Sequence, residues 1–137
     1  RRQGARTLLR QSAVTGSSFG GVDFGKLFVS IDAMDTEGFL AFIAPDGEFR
    51  FGSTPPVRGH AAIRAAVENF FSSFAALRHE LQRVIAEGNT VVCEGEVTYT
   101  RHDSSVITLP FCNVFETDDG LISLYRIYID VAPLYAA

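Results

Sequence analysis

The sequence predicts one small α+β domain, a curved antiparallel sheet wrapped by N-terminal helices around a largely apolar pocket. Three observations carry this. The 137 residues are enough for one domain with a core of its own and too few for two. Hydrophobic residues make up 47% of the chain and Phe alone occupies 12 positions, which suits a packed globule and excludes disorder. Apolar residues recur at helical spacing in the first half and alternate as strands in the second.

Residues 1–21 mix Arg, Gln, Ser, Thr and Gly and end in the breaker run Gly16-Ser-Ser-Phe-Gly-Gly21. They read as a flexible basic tail or a cloning remnant, with a targeting peptide or an arm docking on a partner subunit as alternatives. From Val22 the pattern turns helical. Phe24, Leu27, Phe28 and Ile31 share one face, and Asp35-Thr36 caps a second short helix running through Phe39, Leu40 and Phe42 to Ile43. Ala44-Pro-Asp-Gly47 stops it, residues 48–51 alternate as a strand, and residues 52–59 form a loop rich in turn formers. The longest helix is predicted over 60–76, with Ile63, Val67, Phe70, Phe71 and Phe74 as its apolar stripe. Strands follow over 77–86, 90–101, 106–116 and 121–131, joined by hairpin turns at 87–89, 102–105 and 118–120. Helices first and a strand meander afterwards give segregated layers, with the helical stripe on one sheet face.

Charge excludes some partners. Arg1, Arg2, Arg6 and Arg10 crowd the start, so the remaining 8 basic residues face all 16 acidic ones and residues 22–137 carry about −8. An acidic domain without a basic stripe lacks the electrostatic footprint of a nucleic-acid binder. Cys93 and Cys112 fall in separate strands without metal or redox spacing and read as reduced, buried thiols, and His60, His79 and His102 lack metal-ligand spacing. No apolar run approaches the ~20 residues that span a bilayer. A soluble, cytoplasmic protein without membrane partner, metal or cofactor is expected.

Five segments in order, Phe42-Ile-Ala-Pro-Asp-Gly47, Arg58-Gly-His-Ala-Ala-Ile63, Leu109-Pro-Phe111, Asp119-Gly-Leu-Ile122 and Tyr125-Arg-Ile-Tyr-Ile-Asp130, resemble the SnoaL-like branch of the nuclear transport factor 2-like superfamily. The resemblance runs from about Val22 to Pro133. It implies a cone whose concave sheet face and first helices enclose a pocket for a small apolar ligand, in a homodimer packed through the outer sheet face. The fold hosts isomerases, cyclases, epoxide hydrolases and binding proteins, so function has to come from the site.

Strand alternation then assigns directions. Cys93, Gly95, Val97 and Tyr99 point inward, as do Phe111, Asn113 and Phe115, and Tyr125, Ile127 and Ile129; on 77–86 the inward set is His79, Leu81 and Arg83. The family's chemistries can be tested on these positions. The three polar groups of ketosteroid isomerase-like members align with Phe51, Leu27 and Asn113, and two of those are apolar here. The acid and base of limonene epoxide hydrolase-like members align with Gly95, Val97 and Ile127, which supply neither. The carboxylate of polyketide cyclase-like members has Asp130 as its nearest counterpart, but strand parity groups Asp130 with Arg126 and Tyr128, away from the pocket.

His79 is the remaining general acid or base, since imidazole titrates near neutrality and parity directs it inward. The bland reading of one inward His is a satisfied core residue. The expectation is thus a cofactor-free isomerase or cyclase acting on an apolar oxygenated metabolite, a polyketide or terpenoid, with His79 and, at lower weight, Asp130 as catalytic residues. Asn113, Tyr99 and Tyr125 would supply hydrogen bonds, and Phe51, Phe71, Val97, Phe111 and Ile127 would line the walls. The alternatives are a non-catalytic ligand-binding or carrier domain and a dimeric module whose interior the Phe residues pack solid.

Overall fold

The computed structural model describes residues 7–10 and 18–136. Among these, seven strands form one sheet in the order β1-β6-β7-β8-β9-β4-β5, with β1 at Thr7–Arg10, β4 at Ile43–Phe51, β5 at Val57–Arg58, β6 at Ala76–Glu87, β7 at Thr90–Thr100, β8 at Val106–Asp118 and β9 at Leu121–Tyr128. β2 (Ser18–Phe19) and β3 (Val22–Asp23) pair as a small hairpin of their own. The helices are α1 (Phe24–Asp32), α2 (Thr36–Leu40), α3 (His60–Phe71) and α4 (Ala132–Tyr135). The α+β class and the β6–β9 meander match expectation. All ladders are antiparallel except β4 on β9, which is parallel, so the sheet is mixed.

Local chemistry accounts for most boundaries. Asp23 accepts the Lys26 amide at 3.1 Å and caps α1, and Asp35 accepts the Gly38 amide at 3.0 Å and caps α2. α1 ends where Met34 adopts a left-handed φ of 53°, its amide donating to Ile31 O and the Asp35 amide to Ser30 O, the bond pattern of a Schellman cap. α2 stops at Leu40, earlier than the apolar pattern implied, because Ile43 is already drawn into β4 beside Ile122; the Ala44–Gly47 turn becomes a bulge inside that strand. α3 stops at Phe71, five residues short of expectation. The Ser72 and Ser73 hydroxyls donate to the Asn69 and Phe70 carbonyls at 2.7 Å and close the helix, leaving Phe74 buried in the turn beyond it.

The start of the chain also departs from expectation. Residues 7–10 pair with the edge of β6, and Gly20 and Gly21, at φ 60° and 81°, make a tight turn between β2 and β3. The rest of the predicted tail lies outside the described residues.

α1 lies on the concave face of the sheet. Phe24 packs on Phe115 with ring centroids 4.8 Å apart, and Phe115 on Tyr125 at 4.4 Å; Tyr125 continues to Phe49 and Phe39 at 5.3 and 5.7 Å. A second aromatic group joins Phe51, Phe70, Phe74 and Tyr99 at centroid spacings of 4.6–5.0 Å. Each fully buried ring contributes about 1.5–3 kcal/mol of hydrophobic stabilisation.

One inward assignment is corrected. The β6–β7 register slips between Leu81 and Arg83, so Val84 and Ala86 turn inward while Arg83 turns outward and bonds Glu94 at 2.9 Å. Gly95, opposite Leu81, makes room for this irregularity, since a Cβ there would sit 2.0 Å from the Glu80 carbonyl oxygen. Gly95→Ala is therefore expected to cost about 3 kcal/mol, the upper end for overpacking a close-fitting site, as a fall in urea midpoint with an unchanged slope.

Candidate functional site

Between the two aromatic groups lies a cavity of about 380 Å³. Its floor is sheet, from Leu77, His79, Val97, Tyr99, Phe111, Asn113, Tyr125 and Ile127; α3 covers it with Val67, Phe70 and Phe71. Phe51, Phe71, Val97, Phe111 and Ile127 thus stand in the walls, with Asn113, Tyr99, Tyr125 and His79 beside them. The interior is not packed solid. Exposed Thr54, Pro55, Asn69, Ser73 and Tyr135 rim the opening, and Tyr135 reaches across it to Ser73, oxygen to oxygen 2.8 Å.

α4, which the strand pattern over 121–131 did not announce, brings Tyr135 there. β9 ends at Tyr128, and Asp130 accepts the Ala132 amide at 3.0 Å as the chain turns into the helix. Arg101 donates to the Leu134 and Pro133 carbonyls at 2.9 Å each. Asp130 is exposed, holds this turn and lies outside the cavity lining.

His79 is the one imidazole, carboxylate, thiol, ammonium or guanidinium group among the lining residues. Its ring Nδ1 lies 2.6 Å from Asp32 Oδ1, and its backbone amide donates to Asp32 Oδ2 at 2.9 Å. The carboxylate accepts, so Nδ1 carries the proton and Nε2 is the open nitrogen. Phe28 and Phe111 hold the ring from two sides at centroid distances of 4.9 and 5.1 Å. Asp32 is the residue sequence reasoning missed. Its signal was available: it follows Phe28 by four and so extends the α1 stripe that faces the sheet.

Beside His79 the inner wall carries the Tyr99 and Tyr125 hydroxyls and Asn113, whose Oδ1 is buried without a hydrogen bond. Burial pushes both phenols well above their usual range, so each stays a protonated donor at neutral pH. The positions aligned with ketosteroid isomerase chemistry separate: Phe51 and Asn113 line the cavity, whereas Leu27 is sealed in the core. His60 donates a ring N–H to Ile43 O at 2.8 Å and His102 one to Ser72 O at 3.0 Å, both structural bonds. No cluster able to hold a metal ion exists among the described residues, and none of their helices is long and apolar enough to cross a membrane.

Burial also raises both thiols, Cys93 chiefly because it is sealed and Cys112 with the Glu94 carboxylate adding to the effect. A thiol titration of the native chain at neutral pH is expected to label the half-buried Cys112 slowly and Cys93 only on unfolding. Rapid labelling of both would contradict the sealed core around Cys93.

Comparison with known proteins places this geometry. No curated protein matches the chain. Among solved structures, a protein of the nuclear transport factor 2-like fold and unknown function from Burkholderia pseudomallei is similar at 21% identity over 80% of this chain and 88% of that one, with a TM-score of 0.73. A protein named as a SnoaL-like polyketide cyclase from Jannaschia sp. CCS1 gives 20%, 80%, 83% and 0.70. A protein named as an LEH-like epoxide hydrolase from M. tuberculosis gives 21%, 79%, 80% and 0.67. At such identities these structures establish the fold alone. The SnoaL-like domain model matches residues 25–125, most of the chain and all of β6, β7 and β8, and the chain belongs to the SnoaL-like domain family.

Proposed function

We propose that this chain is a cofactor-free isomerase- or cyclase-type enzyme that moves a proton on an apolar, oxygenated metabolite of polyketide or terpenoid kind. The observation that carries this is the Asp32–His79 pair set in the wall of an otherwise apolar cavity. His79 Nε2 removes a proton next to a carbonyl and returns it elsewhere. Asp32 keeps the ring in the right tautomer and offsets the charge that forms on it. The Tyr99 and Tyr125 hydroxyls and the Asn113 side-chain N–H can donate to a carbonyl or enolate oxygen, whereas Asn113 Oδ1 can only accept. Asp130 has no part in this reading. The proteins named as a polyketide cyclase and an epoxide hydrolase share the fold, which is compatible with an enzyme-type pocket.

A simple ketone tests it. The parent chain is expected to accelerate α-deuteration of β-tetralone in heavy water, followed by proton resonance intensity. His79→Gln should lose about 10²–10⁴-fold of that acceleration, and Asp32→Asn a smaller part of it. A parent rate equal to buffer would leave the second reading, a ligand-binding or carrier domain. That reading draws on the lining itself, which contains no Asp, Glu, Lys or Arg.

We further propose a homodimer through the outer sheet face. Ile85, Val92, Val114 and Leu124 are half-buried there, beside the ion pair of Arg83 and Glu94. Sedimentation of the parent should report twice the chain mass, and Val114→Asp should shift it toward the single chain; a parent sedimenting as one chain at all concentrations would end this proposal.

A further inference from the structure

The preceding reading of the cavity leaves open what its ligand presents to His79, and three features of the wall narrow it. Nδ1 is committed to Asp32, which leaves Nε2 as the free nitrogen. The lining holds no Lys or Arg, and the charge an imidazolium would carry is already answered by Asp32. A carboxylate or phosphate entering this cavity would therefore lose its hydration without gaining a free counter-charge, at a cost of several kcal/mol. Aromatic rings face the space from both sides, Phe51 and Phe70 from one group and Phe49 and Tyr125 from the other, which favours a flat unsaturated body.

We infer that the ligand is uncharged and is recognised through an ionisable hydroxyl, a phenol or an enol, that shares its proton with His79 Nε2. In the transfer the O–H bond breaks, its electron pair stays on the ligand oxygen, and the proton forms the Nε2–H bond. The imidazolium is then paired with Asp32 through Nδ1–H, while Tyr99, Tyr125 and Asn113 are the donors available to the new oxyanion. No other reactant is needed. An ether or epoxide of the same outline has no O–H for His79 Nε2 to accept, and a ketone has one only as its enol. This rests on the cavity and the Asp32–His79 pair proposed above, and adds the chemical class of what they bind.

Fluorescence titration of the full chain with three two-ring probes tests it. A cavity of about 380 Å³ has room for roughly a dozen waters at ~30 Å³ each, enough for such a probe. β-Naphthol is expected to bind about tenfold more tightly than β-methoxynaphthalene, which has the same body and no proton, with β-naphthoate weakest. In His79→Phe the two neutral probes should come within about twofold of each other while the ether keeps its affinity, and Asp32→Asn should shrink the preference part of the way. Circular dichroism of each variant confirms the fold.

Equal binding of naphthol and its ether by the parent overturns the hydroxyl inference and leaves the cavity standing. A tenfold preference that survives His79→Phe also overturns it, by assigning the hydroxyl to another group. If neither neutral probe binds the parent, the ligand cavity itself is refuted, and the hydroxyl inference falls with it.

Discussion

The site depends on a two-point contact between one carboxylate and one residue. Asp32 ends α1, and its oxygens take both the backbone amide and the ring Nδ1–H of His79 on β6. The first bond sets the height of α1 over the sheet, and the second sets the rotation of the imidazole. Because both run to the same residue, the helix cannot shift without turning the ring. Removing either partner would leave a largely desolvated polar group unpaired, at a cost of about 1–3 kcal/mol. The strained φ of Met34 two residues on belongs to the same construction. A left-handed residue of ordinary type costs about 1–2 kcal/mol, and here it ends the helix directly after the carboxylate is in place.

The cavity is kept open by rigidity of the same kind. Phe39, Phe49, Tyr125, Phe115 and Phe24 form one connected set of rings, and Phe51, Phe70, Phe74 and Tyr99 another. Each ring is braced by its neighbours within its own group, so collapse into the space between the groups would break good contacts to make new ones. An aromatic-rich composition thus fills two columns and leaves a gap, where the same number of flexible aliphatic side chains would pack it shut.

Much of this was legible in the order of residues. Period-two alternation across Cys93, Val97 and Tyr99 and across Phe111, Asn113 and Phe115 is a strong signal because one face of these strands is fully buried, and the structure sets those side chains inward. It fails at Arg83, where alternation is broken by a register slip that depends on Gly95 of the neighbouring strand, a non-local fact. Asp32 was overlooked because a carboxylate at a helix end has an ordinary solvated reading, and its partner lies 47 positions away. The parallel pairing of β4 with β9 left no trace in either strand's pattern, since the apolar face of a strand looks the same whichever way its neighbour runs.

That parallel ladder also sets an order of assembly. The β6–β9 meander closes through turns of a few residues and can form early, from contacts near in the chain. Phe49 meets Tyr125 and Phe51 meets Ile127 only once the intervening chain is in place, so the strand that carries Phe49 and Phe51 joins the wall against the entropy of a long loop. Until then the meander has a floor and no enclosure. The hollow is therefore closed by a pairing as distant in the chain as that of β1 with β6, and a molecule that fills it would hold β4 and β9 together.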